Sequence, residues 1–282
     1  MIKVANGEMP LMQKMARELT GFALAGSKTY LVENRLGPIA ERHGCKTYQE
    51  LYFKIRYGQD KVLLQEVVDA ITTHETQFFR DATPFDALQF KVLPEVLDAR
   101  GKTSAPKRLR IWSAACSTGQ EPYSIGMVLH DLLPSPETWD VEILATDIAD
   151  ATLATAQAAT YAGIDLERSG RPKMSKYLER AAGGMRVVES VRRMVKFRRL
   201  NLIEPFAAMG PFDVVFLRNV LIYFDAATKV DILRRTHAVM QPWGVLFLGS
   251  TENMVDVDAG FVSQEHCRAT MYRVGRGRPL KV

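Results

Sequence analysis

The chain has 282 residues, 47% of them hydrophobic and 24% charged, with a formal net charge of +5, which suits one large or two modest globular domains. Its three cysteines, Cys45, Cys116 and Cys267, are odd in number and far apart, which argues against a disulfide framework or a zinc site and for a reducing compartment. The N-terminus MIKVANGEMP lacks an apolar signal core, and no run of about 18 apolar residues predicts a membrane span.

Residues 8–73 carry helical spacing. Leu11, Met12, Met15, Leu19 and Phe22 recur at three- and four-residue steps. Leu31, Leu36, Ile39 and Ala40 follow, then Tyr48, Leu51, Tyr52 and Ile55, then Val62, Leu63, Val67, Val68 and Ile71. This predicts an all-α bundle over residues 1–75 whose Met and aromatic stripes are core. THETQFFRD, residues 73–81, mixes polar groups with two adjacent aromatics. Phe85, Leu88, Phe90, Val92 and Leu93 predict one more helix ending near Gly101, within a linker spanning 76–107.

From 108 to 282 strands alternate with helices. Residues 109–121 read LRIWSAACSTGQE. The apolar Leu109-Arg110-Ile111-Trp112 predicts a buried parallel strand. Small residues through Ala115 and Gly119 form a turn that lets a ligand approach the backbone. Glu121-Pro122 opens a helix, where proline suits the first turn. Strand, small turn and helix start make the first unit of a nucleotide-cofactor fold. With only Gly119 as glycine, the turn is a poor pyrophosphate cradle. A second apolar strand ends at Asp147, 28 residues after Gly119. Asp147 either accepts hydrogen bonds from a ribose diol or caps the helix starting near Ala149.

A helix over 151–159 comes next. Residues 168–199 then hold eleven Lys/Arg against Glu179 and Glu189, a local +9 that leaves −4 elsewhere. The segment is a solvated face, a docking site for an acidic partner or a nucleic-acid surface. Tyr177 and Phe197 are its only aromatics, which weakens the last reading. The runs 186–188 and 194–200 predict strands of a small inserted antiparallel unit, about 160–200. Phe212-Asp213-Val214-Val215-Phe216-Leu217 is a strand apolar apart from Asp213, ending in Arg218-Asn219. A helix over 226–240, a turn at Pro242 and Gly244, a strand over 245–248, a late antiparallel strand over 269–274 and a frayed basic tail over 276–281 complete the pattern.

SAACSTGQEPYS, ATDI, Asn201-Leu202 and FLRNVLIYF, with THETQFFRD before them, resemble the chemotaxis receptor glutamate O-methyltransferases, the CheR family. The resemblance runs in order along nearly the whole chain. It implies an α/β, Rossmann-like methyltransferase domain with an inserted antiparallel β-subdomain, preceded by an all-α domain. It implies S-adenosylmethionine as methyl donor, S-adenosylhomocysteine as product and receptor glutamates as acceptors. Thr76 and Arg80 match linker contacts to the cofactor, with Arg80 facing its methionyl carboxylate. Ala115 lies in the cofactor loop, and Glu121 matches an acid near the methionine amine. Asp147 matches the ribose acid, and Asn201-Leu202 the adenine side. Arg218 and Asn219 match residues near the transfer centre, and Tyr223 an active-site tyrosine. The catalytic pair expected is Arg218 and Tyr223, with bland readings of a strand-end ion pair and a buried helix tyrosine.

His74 stands where the family often has asparagine, and Gln120 where it often has a second glutamate. The implied partners are cytoplasmic domains of chemoreceptors and, in some members, a receptor tail peptide on the β-subdomain. The expected setting is the cytoplasm, with recruitment to receptors through protein contacts, no nucleic acid and no membrane insertion. A nucleic-acid methyltransferase would call for an Asn/Asp-Pro-Pro-aromatic cluster where this chain has Arg218-Asn219-Val220-Leu221. A receptor-binding or cofactor-binding regulator without efficient turnover is the alternative from a different class.

Overall fold

A computed structural model of the protein describes residues 2–24, 26, 29–101, 107–133, 138–163, 171–254, 257 and 259–275. Part of the polar linker at 102–106, Arg168 and Gly170 of the basic segment, and the tail at 276–281 lie outside them. Among the described residues no helix is long and apolar enough to cross a membrane.

Four helices form the first layer: α1 (Glu8–Thr20), α2 (Thr29–Arg42), α3 (Tyr48–Tyr57) and α4 (Lys61–Ile71). Their spacing buries Met12, Met15, Leu36, Ile39, Tyr48, Leu51, Leu63 and Val67 together. Local capping fixes the starts of α3 and α4. Thr47 accepts a bond from the Glu50 amide, and Asp60 accepts from the amides of Val62 and Leu63. The apolar stripe is narrower than its spacing suggests, because Val62 is 66% exposed. Helix α1 stops at Gly21, whose φ of 78° suits glycine. A Cβ there would lie 2.4 Å from Ile203 Cγ2 and 2.9 Å from the Phe224 ring. Phe22 therefore leaves the bundle core and stacks on Tyr223, ring centroids 4.8 Å apart.

The chain then runs irregularly to α5 (Thr83–Ala87), which passes through a π turn at Leu88–Val92 into α6 (Leu93–Gly101). From there β1 (Arg108–Ala114), α7 (Gln120–Leu132), β2 (Asp140–Asp147) and α8 (Asp150–Ala158) follow in the expected alternation. The inserted unit is a three-stranded antiparallel sheet of β3 (Thr160–Tyr161), β4 (Leu178–Ala181) and β5 (Gly184–Val187), ordered β3-β5-β4. The run at 194–200 is not part of it. After the short α9 (Glu189–Arg192), strand β6 (Val195–Arg199) pairs in parallel with β2, Ile143 opposite Val195 and Asp147 opposite Arg199. Its polar outer face is that of an edge strand, which period alone does not assign to a sheet.

Next come β7 (Phe212–Leu217), α10 (Ala226–Ala238) and β8 (Met240–Leu248). Pro242 and Gly244 do not end a strand. Phe212 pairs with Met240 and Val214 with Val245, so residues 241–244 bulge within β8. The antiparallel part has two strands rather than one, β9 (Phe261–His266) and β10 (Ala269–Val274). The seven-stranded order is β6-β2-β1-β7-β8-β10-β9. The chain winds outward from β1 to β6, then returns to place β7 on the other side of β1. That reversal opens a crevice at the carboxyl ends of β1 and β7.

Asp213, the acid in an otherwise apolar strand, is wholly buried. It accepts from Arg100 Nη2 at 2.8 Å, the Arg110 amide at 2.9 Å and Trp243 Nε1 at 3.0 Å. It thereby locks α6 to three strands. Asp213→Ala leaves the Arg100 cation without this carboxylate and should cost on the order of 3–5 kcal/mol. Denaturant unfolding measures this. A loss below about 1 kcal/mol would show the cluster to be incidental.

Candidate functional site

The crevice is a cavity of about 840 Å³, its open mouth included, within the size range of small-molecule sites. It lies where the ends of α1 and α4 meet the carboxyl ends of β1, β2, β6 and β7. His74, Thr76 and Arg80 line it from the linker, and Ala115 and Glu121 from the turn after β1. Asp147 lines it from the end of β2, Asn201 and Leu202 from beyond β6, and Arg218, Asn219 and Tyr223 from beyond β7. Residues distant in sequence thus share one wall-to-wall space.

The turn after β1 is built for close approach. Ala115 and Ser117 hold φ values of 55° and 51°, and Gly119 holds 94°. A Cβ on Gly119 would lie 2.8 Å from Ala156 Cβ and 2.9 Å from Tyr161 Oη. Strand β2 pins the turn: Thr146 O accepts from the Cys116 amide at 2.9 Å, and Asp147 Oδ2 accepts from the Ser117 amide at 2.8 Å. Asp147 Oδ1 accepts from the Ala149 amide at 3.0 Å. The capping geometry is therefore present, and the same carboxylate also faces the cavity. Each oxygen carries one short backbone bond and keeps lone-pair capacity for another. Burial raises the Asp147 carboxyl above its ordinary range, against the backbone amides that lower it. The Cys116 thiol is buried and pushed well up, which leaves it inert.

Arg218 is the densest node. Its side chain is 1% exposed. Nη1 donates to Glu121 Oε2 at 3.0 Å, and Nη2 donates to Asp81 Oδ2 at 2.9 Å and to the Arg80 carbonyl at 2.8 Å. The strand-end ion pair weighed from sequence is thus present, made with two acids. Glu121 also accepts from Ser113 Oγ at 2.7 Å. Burial raises its carboxyl more than Arg218 lowers it. Tyr223 is not on a helix: it ends a single 3₁₀ turn, Leu221–Tyr223, half-buried against Phe22.

Other side chains are turned differently from their expected tasks. The Asn201 amide donates to Leu19 O at 2.9 Å, tying the site to α1. His74 Nε2 lies 3.0 Å from the Asp69 carbonyl, an acceptor, so its N–H points back to α4. Gln120 accepts from Thr118 Oγ1 at 2.8 Å within its own turn and stays out of the cavity. Thr20, Phe22, Thr72, Gln77, Ser117, Ile148 and Phe224 also line the cavity and were missed. Phe22 carried a signal, since it falls just past the glycine that ends α1. Asp81 was legible only as part of THETQFFRD.

S-adenosylmethionine presents a carboxylate, a diol, a planar base and a cationic ammonium-sulfonium end, and the residues present fit it. Arg80 donates to the Glu75 carbonyl at 2.7 Å and pairs with no acid among the described residues, so a cation remains for a ligand carboxylate. Two buried acids with raised pKa values offer acceptors to a diol and to positive charge. Leu200, Leu202 and Ile148 supply an apolar wall for a base.

Two family descriptions cover the chain: "CheR methyltransferase, all-alpha domain" over residues 8–72 and "CheR methyltransferase, SAM binding domain" over 74–269. The chain is 41% identical over 256 residues to chemotaxis protein methyltransferase 1 of Pseudomonas aeruginosa, covering 89% of this chain and 92% of that one. It is 40% identical over 237 residues to chemotaxis protein methyltransferase Cher2 of Pseudomonas putida, covering 82% and 85%. It is 37% identical over 270 residues to a chemotaxis protein methyltransferase of Vibrio parahaemolyticus, covering 92% and 94%. With its all-α domain, its doubly wound sheet and this cavity between them, the chain belongs to the CheR family of S-adenosylmethionine-dependent methyltransferases.

Proposed function

We propose that this methyltransferase esterifies glutamate side chains of chemoreceptor cytoplasmic domains. The observation that carries the reading is the cavity's composition: a cation free of acidic partners, two buried acids and no nucleophile–base pair among its described residues. Glutamate is already ionised near neutral pH, so the acceptor needs no base. A lysine or hydroxyl acceptor would need one. The relatives' names point the same way, and they disfavour a regulator without turnover.

Bound S-adenosylmethionine supplies an electrophilic methyl group on sulfur. Arg80 holds the carboxylate end and Thr76 supports it from the linker. Glu121 faces the ammonium, Ala115 lets the ligand close on the backbone, and Asp147 takes the ribose hydroxyls. Asn201 and Leu202 flank the base, with His74 at the linker side. Arg218, neutralised by Glu121 and Asp81, orients these acids rather than capturing the acceptor by itself. Asn219 and Tyr223 border the path of the incoming carboxylate. Alignment and exclusion of water then supply much of the rate.

Docking involves the basic segment and, for receptors that carry a tail peptide, the outer edge of β4, which among the described residues pairs only with β5. The segment is less positive than its sequence. Arg171, Lys176, Lys196 and Arg199 meet Asp86, Asp131, Glu142 and Asp150, and Arg192 meets Glu189. Lys173, Arg180, Arg193 and Arg198 are exposed and free of ion pairs among the described residues. They are the charges left for steering.

The deciding experiment incubates the full chain with methyl-labelled S-adenosylmethionine and receptor cytoplasmic domains, then applies mild base. Esters release labelled methanol; label that survives base refutes a carboxylate acceptor. Asp147→Ala should weaken S-adenosylhomocysteine by on the order of 3 kcal/mol, about a hundredfold, through two charge-assisted bonds. Because burial raises the Asp147 pKa above 3.8, affinity should be full above that raised value and fall as pH drops through it. Asp147→Asn should flatten this profile. Calorimetry on folded protein checks both, and unchanged affinity would return Asp147 to capping alone. Reversing Arg193 and Arg198 to Glu should lower kcat/KM toward whole receptor at low salt, with the loss shrinking as salt screens the charges. A salt-independent defect would make the patch structural.

A further inference from the structure

We infer that Glu252 is a positioning residue for methyl transfer, acting through a carboxylate clamp on the backbone of the 219–224 turn; the inference rests on the glutamate-methylating reading above. Glu252 lies in the turn after β8 and does not line the cavity. Its Oε2 accepts from the Asn219 amide and from the Gly249 amide, both at 2.7 Å. Its Oε1 accepts from the Ile222 amide at 3.2 Å. Its own amide donates to the Gly249 carbonyl at 2.9 Å, which closes the turn beneath the carboxylate. Among the described residues no lysine or arginine pairs with it. A carboxylate held by three backbone donors fixes the amides that it holds.

What it positions is the acceptor side of the cavity. Asn219 holds φ at 57°, a conformation that costs a non-glycine residue. The bond from its amide offsets that cost. Three residues on, the Ile222 amide fixes the 3₁₀ turn that ends at Tyr223. The far side of the same turn is held by α1's exit, where the Ala23 amide donates to the Tyr223 carbonyl at 2.8 Å. The turn bearing Asn219 and Tyr223 is thus gripped from two sides, and Glu252 supplies one grip. Gly249 leaves the space for it. A Cβ there would lie 2.7 Å from Glu252 Oε2 and 2.8 Å from the Asn219 nitrogen.

The test uses the full chain with Glu252→Ala, Glu252→Gln and Gly249→Ala, measuring kcat with receptor cytoplasmic domain, affinity for S-adenosylhomocysteine, melting temperature and amide exchange. Glu252→Ala should lose kcat at least tenfold more than it loses affinity. Glu252→Gln, which can keep the two bonds at one oxygen and loses that to Ile222, should lie between it and wild type. Gly249→Ala should reproduce the alanine phenotype. The amides of Asn219, Ile222 and Gly249 should exchange at least tenfold faster in Glu252→Ala. A kcat within twofold of wild type, or kcat and affinity falling by one factor, overturns the positioning role. Unchanged exchange at the three amides overturns the clamp itself. If wild type forms no base-labile ester, the substrate reading fails, and the exchange data still decide the clamp.

Discussion

The buried Arg218 guanidinium is the interaction on which the rest of the site depends. It joins the linker, through Asp81 and the Arg80 carbonyl, to the first turn of α7, through Glu121, at the end of the central strand β7. Burying an ion pair costs desolvation that attraction only partly repays. Burial accordingly raises the Glu121 carboxyl against the pull of Arg218. Between the ordinary and the raised pKa the folded chain holds protons that the unfolded chain has released. The stability contribution of Glu121 and Asp147 therefore falls as pH rises through that window. A chain optimised for stability alone would not keep both acids in this cavity. Their retention makes sense if ligand charge and hydroxyls complete their coordination.

Backbone strain concentrates around the same space. Of the eight non-glycine residues with positive φ among the described residues, five, Phe79, Asp81, Ala115, Ser117 and Asn219, lie in the segments that border it. Each costs on the order of 1 kcal/mol, and such strain persists only where the surroundings overdetermine it. The surroundings do so here. The Phe79 amide donates to Ser124 Oγ, the Ser117 amide to Asp147, and the Asn219 amide to Glu252. Each strained turn is tied by a side chain from another element, so the cavity wall is set by the tertiary fold rather than by loop propensity.

This division explains what sequence could and could not reveal. Periodicity located the bundle, β1, β2, β7 and α10, because each buries a long apolar run. It misassigned β6, whose Lys196, Arg198 and Arg199 leave only an edge pattern, and it missed β9, none of whose residues is buried. Pro242 and Gly244 read as a turn because a bulge and a turn share the same residue types. In the site, motif resemblance named residues around the cavity, but it could not show Arg218 already paired or Asn201 spent on Leu19. Those facts depend on side-chain direction across 97 and 182 residues of chain. Glu252 was invisible for the same reason: nothing in Gly249-Ser250-Thr251-Glu252-Asn253 says that its carboxylate faces the end of β7.

The two-domain construction follows from the order of the strands. A doubly wound sheet opens its crevice at the carboxyl ends of β1 and β7, leaving one side of a bound ligand exposed. The exit of α1 and the chain after α4 cover that side: Phe22 stacks on Tyr223, Asn201 bonds to Leu19, and Ser117 Oγ donates to the His74 carbonyl at 2.9 Å. Every one of these contacts crosses from the helical layer to a strand end. If the acceptor is the glutamate carboxylate proposed above, an in-line displacement on it asks for alignment and a dry site rather than proton transfer. A rigid sheet that supplies the floor and a helical layer that supplies the cover meet that demand. Arg218 adds a charged tie beside these uncharged ones, from the end of β7 to Asp81 of the linker and Glu121 of α7.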